Sequence, residues 1–426
     1  MPWESKRANR ILLAIEPVVD KGNPATMTTA RIDHAEYLEP ELAARALRER
    51  PGFCFLDSSL PGQGAVSLLA SDPEEVLSGS ASDWAALERE IGRRMRTGFD
   101  LGVPESAAIG WVDFDGSFRF GIYPRVHCWL HNRQEWINPP EVGEIPPDPE
   151  SPTIDFQPLT AKEDFVAMVS RAQEYIAAGD IYQVCLAHRF QARWEGDAWS
   201  FYETLRSASP APHSAFIDLG GRQVASASPE CFLKMSGRRI ITRPIKGTRP
   251  RRSDPLQDSQ SAYELMTSKK EIAELVMITD LERNDLGKVC EFGSVIVSDL
   301  LKHEQYEQVH HLVSTVEGNL REGVSHAGAL RACFPGGSIS GAPKKRALEI
   351  IAELEQHPRG LYTGAIGYFG FNGESQFSIA IRTAVFEGGV ASFHSGAGIV
   401  ADSVPESEWA ETLHKARGIL AAADAG

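Results

Sequence analysis

Ala365-Ile-Gly-Tyr-Phe-Gly-Phe-Asn-Gly-Glu-Ser-Gln-Phe-Ser-Ile-Ala-Ile-Arg-Thr-Ala-Val-Phe-Glu-Gly-Gly-Val-Ala-Ser-Phe-His-Ser395 decides the fold class. Asn372-Gly373 and Gly388-Gly389 suit the positive φ of two-residue hairpin turns, and each precedes a β-rich run, 376–386 and 390–395. Gly220-Gly221 does the same between 214–219 and 223–226. Successive hairpins build antiparallel sheet. The start of the stretch has an echo: Ala108-Ile-Gly-Trp-Val-Asp-Phe-Asp-Gly116 matches Ala365 to Gly373 at five of nine positions, which points weakly to a duplicated sheet element.

Helical periodicity lies between the hairpins. A Thr160-x-x-Glu163 capping box precedes Phe165, Met168, Val169, Ala172, Tyr175 and Ile176, and Gly179 ends the run. A strand is predicted over 181–190 and helices over 261–285, 344–356 and 406–423, so the class is α+β with largely antiparallel sheets. Seven prolines between Pro139 and Pro158 mark a linker. The expected organisation is a loosely patterned leader (1–30, with Met27 a possible start), an amino-terminal lobe (31–138), the linker (139–159) and a larger catalytic region (160–426).

Composition narrows the function classes. With 58 acidic and 43 basic side chains the formal charge is −15, which argues against a chain-wide nucleic-acid binder. No run approaches the ~18 apolar residues of a membrane span. The six cysteines are scattered, without a C-x-x-C pair, and read as buried residues of a cytoplasmic, reducing compartment.

Against the acidic background stands a positive island, Arg238, Arg239, Arg243, Lys246, Arg249, Arg251 and Arg252. Either it is a solvated loop, or Lys246, flanked by arginines that disfavour its ammonium form and followed by Gly247, is a nucleophile. Glu271/Glu274 and Glu408/Glu411 are spaced three apart on predicted helices, so each pair shares a face. Both pairs are acidic solvent faces or, if the helices meet, an oxygen-rich Mg²⁺ site. Glu307-x-x-His310 and Glu411-x-x-His414 have di-iron spacing, but strands and hairpins surround them where that site needs four long helices.

Three other patterns carry less. Gly336-x4-Gly341 is followed by Ala342-Pro343 where a phosphate loop needs Lys-Ser/Thr, leaving a glycine-rich turn that opens a helix with Pro343 in its first turn. Gly396-Ala-Gly398 lacks the downstream elements of a dinucleotide fingerprint, but bare backbone there suits a small substrate. Arg382, on the face opposite Phe377, Ile379 and Ile381 by period two, is a structural ion-pair partner or a carboxylate clamp.

The order of several motifs resembles the chorismate-utilising enzymes: Ser228-Pro-Glu230, Pro244-Ile-Lys-Gly-Thr-Arg-Pro-Arg251, Asp280-Leu-Glu-Arg-Asn-Asp-Leu-Gly287, His311-Leu-Val-Ser314, Pro335 to Lys344, Tyr362-Thr-Gly-Ala-Ile-Gly367, Ile381-Arg-Thr383 and Ser395-Gly-Ala-Gly-Ile399. The resemblance runs from about Lys162 to Leu420. It implies a two-lobed sandwich of antiparallel sheets flanked by helices. Within the family, Pro-Ile-Lys-Gly-Thr is similar to the aminodeoxychorismate synthase branch, whereas the anthranilate and isochorismate branches resemble Pro-Ile-Ala-Gly-Thr. The isochorismate branch also places a lysine base where this chain has Gln183.

What the resemblance implies is amination of chorismate to 4-amino-4-deoxychorismate, a step toward 4-aminobenzoate and folate. Lys246 would attack C2 and a protonated Glu230 would give the C4 hydroxyl its proton, with His311 as a further candidate. Mg²⁺ on Glu274 and Glu411, with Glu271 and Glu408 ordering water, would take the ring carboxylate. Arg382 and Tyr362 would hold the enolpyruvyl carboxylate, and Gly247, Thr248, Ser338, Gly396, Gly398 and Lys415 would line the substrate. None of the cysteines sits in a Gly-x-Cys-x-Gly elbow, so ammonia implies a separate glutaminase partner. Ser58, Pro212, His213 and Ser214 match a tryptophan-binding wall, but Gly64-Ala-Val-Ser67 departs from the family's pattern beside it. The alternatives are an anthranilate-type or secondary-metabolite chorismate aminase and, outside enzymes, an RNA-binding module using the arginine island.

Overall fold

A computed structural model describes residues 38–60, 65–96, 102–147, 153–306 and 309–425. The 1–30 leader and Gly64 lie outside them. Among the described residues, two large sheets face each other. The first runs Gly341–Ala342, Gln183–Arg193, Val390–Ile399, Thr383–Glu387, Arg222–Ser228, His213–Asp218, Cys54–Asp57, Val66–Ala70, His127–Leu130, Glu135–Ile137. The second runs Ile245–Pro250, Val309–Asn319, Arg239–Arg243, Cys231–Ser236, Glu374–Ile379, Ala365–Gly370, Ala107–Val112, Phe118–Tyr123, Glu75–Gly79, with Ile296–Gln305 beside Val309–Asn319. Cys54, Leu68, Ile217 and Val224 from the first meet Ile109, Trp111, Ile366 and Tyr368 from the second in a shared core. Helices Pro40–Leu47, Ala198–Ala208 and Pro405–Ala423 cover the first sheet's outer face, while Trp84–Arg94, Lys269–Gly287 and His326–Cys333 cover the second's.

This is the expected α+β sandwich of antiparallel sheets. Both sheets take strands from before and after the proline-rich 139–159 stretch, so the regions on either side share both sheets. The repeated motif sits at their junction. Ala107–Val112 pairs antiparallel with Ala365–Gly370, and Gly110 faces Gly367 at the middle of the register. Two like strands meeting head to tail across a pair of glycines are what a duplicated element related by a local two-fold would give. A Cβ on Gly110 would lie 1.9 Å from the Arg119 carbonyl oxygen, and one on Gly367 would lie 2.0 Å from that of Gln376. Gly367→Ala is therefore expected to destabilise the fold by about 3 kcal/mol or more, and an unchanged denaturation midpoint would contradict this packing.

Four local expectations change. Thr160 and Glu163 form no capping box: the helix is Lys162–Ala177, its N-cap is Ala161, and no side chain caps it. The single predicted helix over 261–285 is two, Pro255–Thr267 and Lys269–Gly287, broken at Ser268, whose hydroxyl caps the second by accepting from Glu271 N–H. Pro343 is the N-cap of Lys344–Leu354 instead of a first-turn residue. The predicted strand over 376–386 is also two. Glu374–Ile379 ends in the second sheet, the chain crosses, and Thr383–Glu387 belongs to the first. Arg382 sits in the crossing at φ 50, so strand alternation does not set its direction. All six cysteines are buried and free. No described helix is long and apolar enough to cross a membrane.

Candidate active site

The charge of Arg382, in the crossing, is felt at His311, which lies beside the Ile245–Pro250 edge of the second sheet. On that edge Lys246 pairs with Leu312 and Thr248 with His311, and the register slips between them at Gly247, whose φ of 74 only glycine adopts freely. A side chain there would also come 3.1 Å from a Glu271 carboxylate oxygen. The bulge therefore lets backbone lie beside the acidic helix.

Lys246 Nζ donates to the Ser338 carbonyl at 3.2 Å. Burial raises Glu230 and Glu274 while the Lys246 charge opposes it, and the same charge adds to the lowering of Glu411, so three carboxylates lie within the field of the amine. The arginines that flank it in sequence turn elsewhere. Arg243 lies 2.5 Å from Glu304, and Arg249 lies 3.5 Å from Glu271. The notion that they crowd the ammonium is corrected: acids, not cations, face Lys246. Three more of the island are likewise paired, Arg238 with Glu291, Arg239 with Glu317 and Arg251 with Asp258, while Arg252 gives its backbone N–H to Asp258. An RNA-binding surface loses its bare positive face.

Glu230 is 7% exposed, and burial raises its pKa against the opposing hydrogen bond from Ser338 and the Lys246 charge. A carboxyl held toward its protonated form beside a lysine is suited to give up a proton. His311 is buried too; burial and the Arg382 charge hold it at about 4, so its ring is neutral at physiological pH. Its Nδ1 lies 3.0 Å from the Thr248 hydroxyl.

Arg382 is the most telling cation. Burial depresses its pKa, and among the described residues its guanidinium has no hydrogen bond or ion pair. A desolvated charge left without a counter-ion is costly and fits a site for an anionic ligand. Tyr362 stacks on His394 at 5.3 Å, and its hydroxyl would lie 2.9 Å from a Cβ on Gly396. Lys415 Nζ donates to the Gly396 carbonyl at 3.1 Å and to Glu411 at 2.7 Å. Gly398 faces Gln183, whose amide nitrogen would be 2.7 Å from an added Cβ and whose carbonyl oxygen is buried without a partner. Of the residues predicted to line a substrate, Tyr362, Gly396 and Lys415 are thus brought together.

The two acidic helices do meet. Glu271, Glu274, Glu408 and Glu411 all raise the pKa of Lys270, whose Nζ lies 3.5 Å from Glu408 and 3.9 Å from Glu274. Glu274 Oε1 and Glu408 Oε2 are buried with no hydrogen-bond partner. Among the described residues no three metal-ligating side chains form a cluster. Two carboxylates with orphaned oxygens fit an oxygen-seeking cation that takes its other ligands from water and a bound acid. Of the rival di-iron pattern, Glu307 lies outside the described residues and His310 is hydrogen-bonded to Asp258 and His303.

The predicted tryptophan-binding residues also adjoin one another. Ser58 donates to the Pro212 carbonyl at 3.2 Å, Ser59 bonds Ser214 at 2.8 Å, and His213 bonds Gln376 at 3.1 Å.

Sequence reasoning missed Lys270, Glu282 and Arg359. Lys270 stands beside Glu271, a signal that could have been read as a built-in counter-charge. Buried Arg359 donates to the Ile339 and Cys185 carbonyls and pairs with Glu355 at 2.6 Å. Nothing in its surroundings along the chain marks it.

Comparison with known proteins gives the family. Residues 124–421 match the family described as chorismate binding enzyme, and the chain belongs to that family. It is 47% identical over 269 residues to anthranilate synthase component 1 of Thermus thermophilus, a match covering 63% of this chain and 58% of that protein. It is 36% identical to a protein of the same name from Haloarcula marismortui, covering 91% of this chain and 90% of that one. The alignments to several such relatives thus span little more than half of their length. Among solved structures, anthranilate synthase component I of Streptococcus pneumoniae superposes with a TM-score of 0.75 at 29% identity, over 84% of this chain and 93% of that one. The menaquinone-specific isochorismate synthase of Escherichia coli shares the fold, with a TM-score of 0.74 at 17% identity, over 93% and 94% of the two chains.

Proposed function

We propose that this chain aminates chorismate at C4, using ammonia from a separate glutaminase and giving 4-amino-4-deoxychorismate. The observation that carries the reading is the placement of Lys246 Nζ, 3.2 Å from the Ser338 carbonyl and beside Glu230, whose carboxyl is buried and raised. Lys246 gives up a proton to solvent before it reacts. Its neutral amine then adds to C2 as the ring double bonds shift, and the C4 hydroxyl leaves as water with the proton of Glu230. Ammonia adds at C4, the double bonds shift back, and Lys246 departs from C2. The enolpyruvyl group stays on the ring.

Arg382 would pair with one substrate carboxylate and Tyr362 would flank it. Glu274 and Glu411, with Glu271 and Glu408 behind them, would hold Mg²⁺, which supplies charge neutralisation to the other carboxylate. In the free protein the Lys270 ammonium partly balances these acids.

A second reading is favoured by the names of the relatives. An anthranilate-type reaction would use the same pocket, add ammonia at C2 and expel pyruvate. The two differ in product. With chorismate, ammonium and Mg²⁺, the first yields a compound that a lyase converts to 4-aminobenzoate, and anthranilate in its place would establish the second. Either activity is expected to fall by at least about tenfold when Mg²⁺ is chelated and to return on its readdition. Full turnover in excess chelator would remove the metal from the scheme.

A further inference from the structure

The mechanism above makes no use of Glu282. It lies on the inner face of Lys269–Gly287, is 2% exposed, and accepts from Gly337 N–H through Oε1 at 2.9 Å. Its other oxygen is buried without a partner. Asp285, Lys344 and Glu230 are the charged groups around it, and burial beside Asp285 pushes its carboxyl up to about 7. A half-satisfied acid in a core is unfavourable for stability, and a residue of this kind is retained where it positions something.

What it positions is the Gly337–Ile339 turn. Lys344 Nζ holds the preceding Pro335 carbonyl at 2.5 Å, with Asp285 at the same distance behind it. Arg359 holds the Ile339 carbonyl at 3.2 Å. Glu282 supplies the anchor at Gly337, where an added Cβ would come 2.7 Å from Leu281 and 3.0 Å from Glu282 itself. Between these anchors, Ser338 is left facing the site, its carbonyl on Lys246 and its hydroxyl on Glu230.

We infer that Glu282 is a positioning residue: by fixing Gly337 N–H it sets where Ser338 holds the Lys246 amine and the Glu230 carboxyl. The inference rests on the proposed roles of those two groups. Its prediction is a loss that falls on kcat far more than on substrate affinity, because Arg382, Tyr362 and the metal-binding acids, which would meet the substrate's charges, do not touch this turn, and Ser338 is its one substrate-lining residue.

The test compares Glu282→Leu, Glu282→Asp and Glu282→Gln in the full chain with chorismate, Mg²⁺ and ammonium. Leucine removes the acceptor, and aspartate keeps the charge but is one methylene too short to reach Gly337. Both are expected to lower kcat by about 10²-fold with KM for chorismate within threefold of wild type. Glutamine, which keeps an acceptor at the Oε1 position, is expected to restore kcat to within about threefold of wild type. If the leucine variant does not fold, the aspartate variant decides. The inference is overturned if the aspartate variant retains full kcat, if the loss falls on KM, or if glutamine fails to restore activity. Failure of the Lys246 chemistry is separable: a Lys246→Ala enzyme that still aminates chorismate at C4 at the wild-type rate would sink that scheme, while the Glu282 series would still report on Ser338 and Glu230.

Discussion

Lys246→Ala is expected to lower formation of 4-amino-4-deoxychorismate by about a thousandfold or more, equivalent to roughly 4 kcal/mol of transition-state stabilisation. The loss should fall on kcat, because among the described residues Lys246 makes one hydrogen bond, to Ser338, and substrate charge is met by other groups. The fold should survive: Lys246 lies on an edge strand, and a partly buried long side chain there contributes little to packing. With C2 no longer occupied by the amine, any residual amination is expected at C2, giving anthranilate. Intact-mass measurement of wild type quenched during turnover should reveal a chorismate-derived adduct, mapping to Lys246. An alanine variant that keeps its rate of 4-amino product, or an adduct on another lysine, defeats the nucleophile assignment.

Arg382→Met should have two opposite effects. Truncating one partner of a buried charge pair costs about 2–5 kcal/mol in binding, so KM for chorismate is expected to rise by about 10²-fold or more. Among the described residues the half-buried guanidinium has no ion pair, and its loss removes an uncompensated desolvation cost. The unliganded variant is therefore expected to melt about 2 °C higher than wild type. Methionine is no more strained than arginine at the positive φ of this position. A lower melting temperature would mean that Arg382 has a structural partner; an unchanged KM would remove it from the substrate carboxylate.

Much of this protein is legible along the chain. The hairpin dipeptides Gly220-Gly221 and Gly388-Gly389 give two-residue turns because few other pairs tolerate the dihedrals, and both hairpins form. The paired Glu-x-x-Glu faces converge as their spacing allows. The 376–386 run, by contrast, reads as one strand because alternation continues through Ile379 and Ile381, and nothing local tells the chain to change sheets at Arg382. The Thr160 box fails for a related reason. Thr160 is itself buried, and its tertiary surroundings override a motif whose capping geometry needs only four residues.

The amino-acid sequence by itself determined the antiparallel α+β class, the repeated Ala-Ile-Gly strand, the acidic helix faces and the residue types gathered around Lys246, because each depends on local dihedral preference or on periodicity. Tertiary structure alone decided which charges neutralise one another. Arg243 and Arg249 neighbour Lys246 in sequence yet pair with Glu304 and Glu271, while Glu230, Glu274 and Glu411 from distant segments face it. Electrostatic interaction depends on distance and burial and is blind to chain order. That is why most of the basic island pairs with acids, while Arg382, half-buried in a crossing that no periodicity marks, has no ion pair among the described residues.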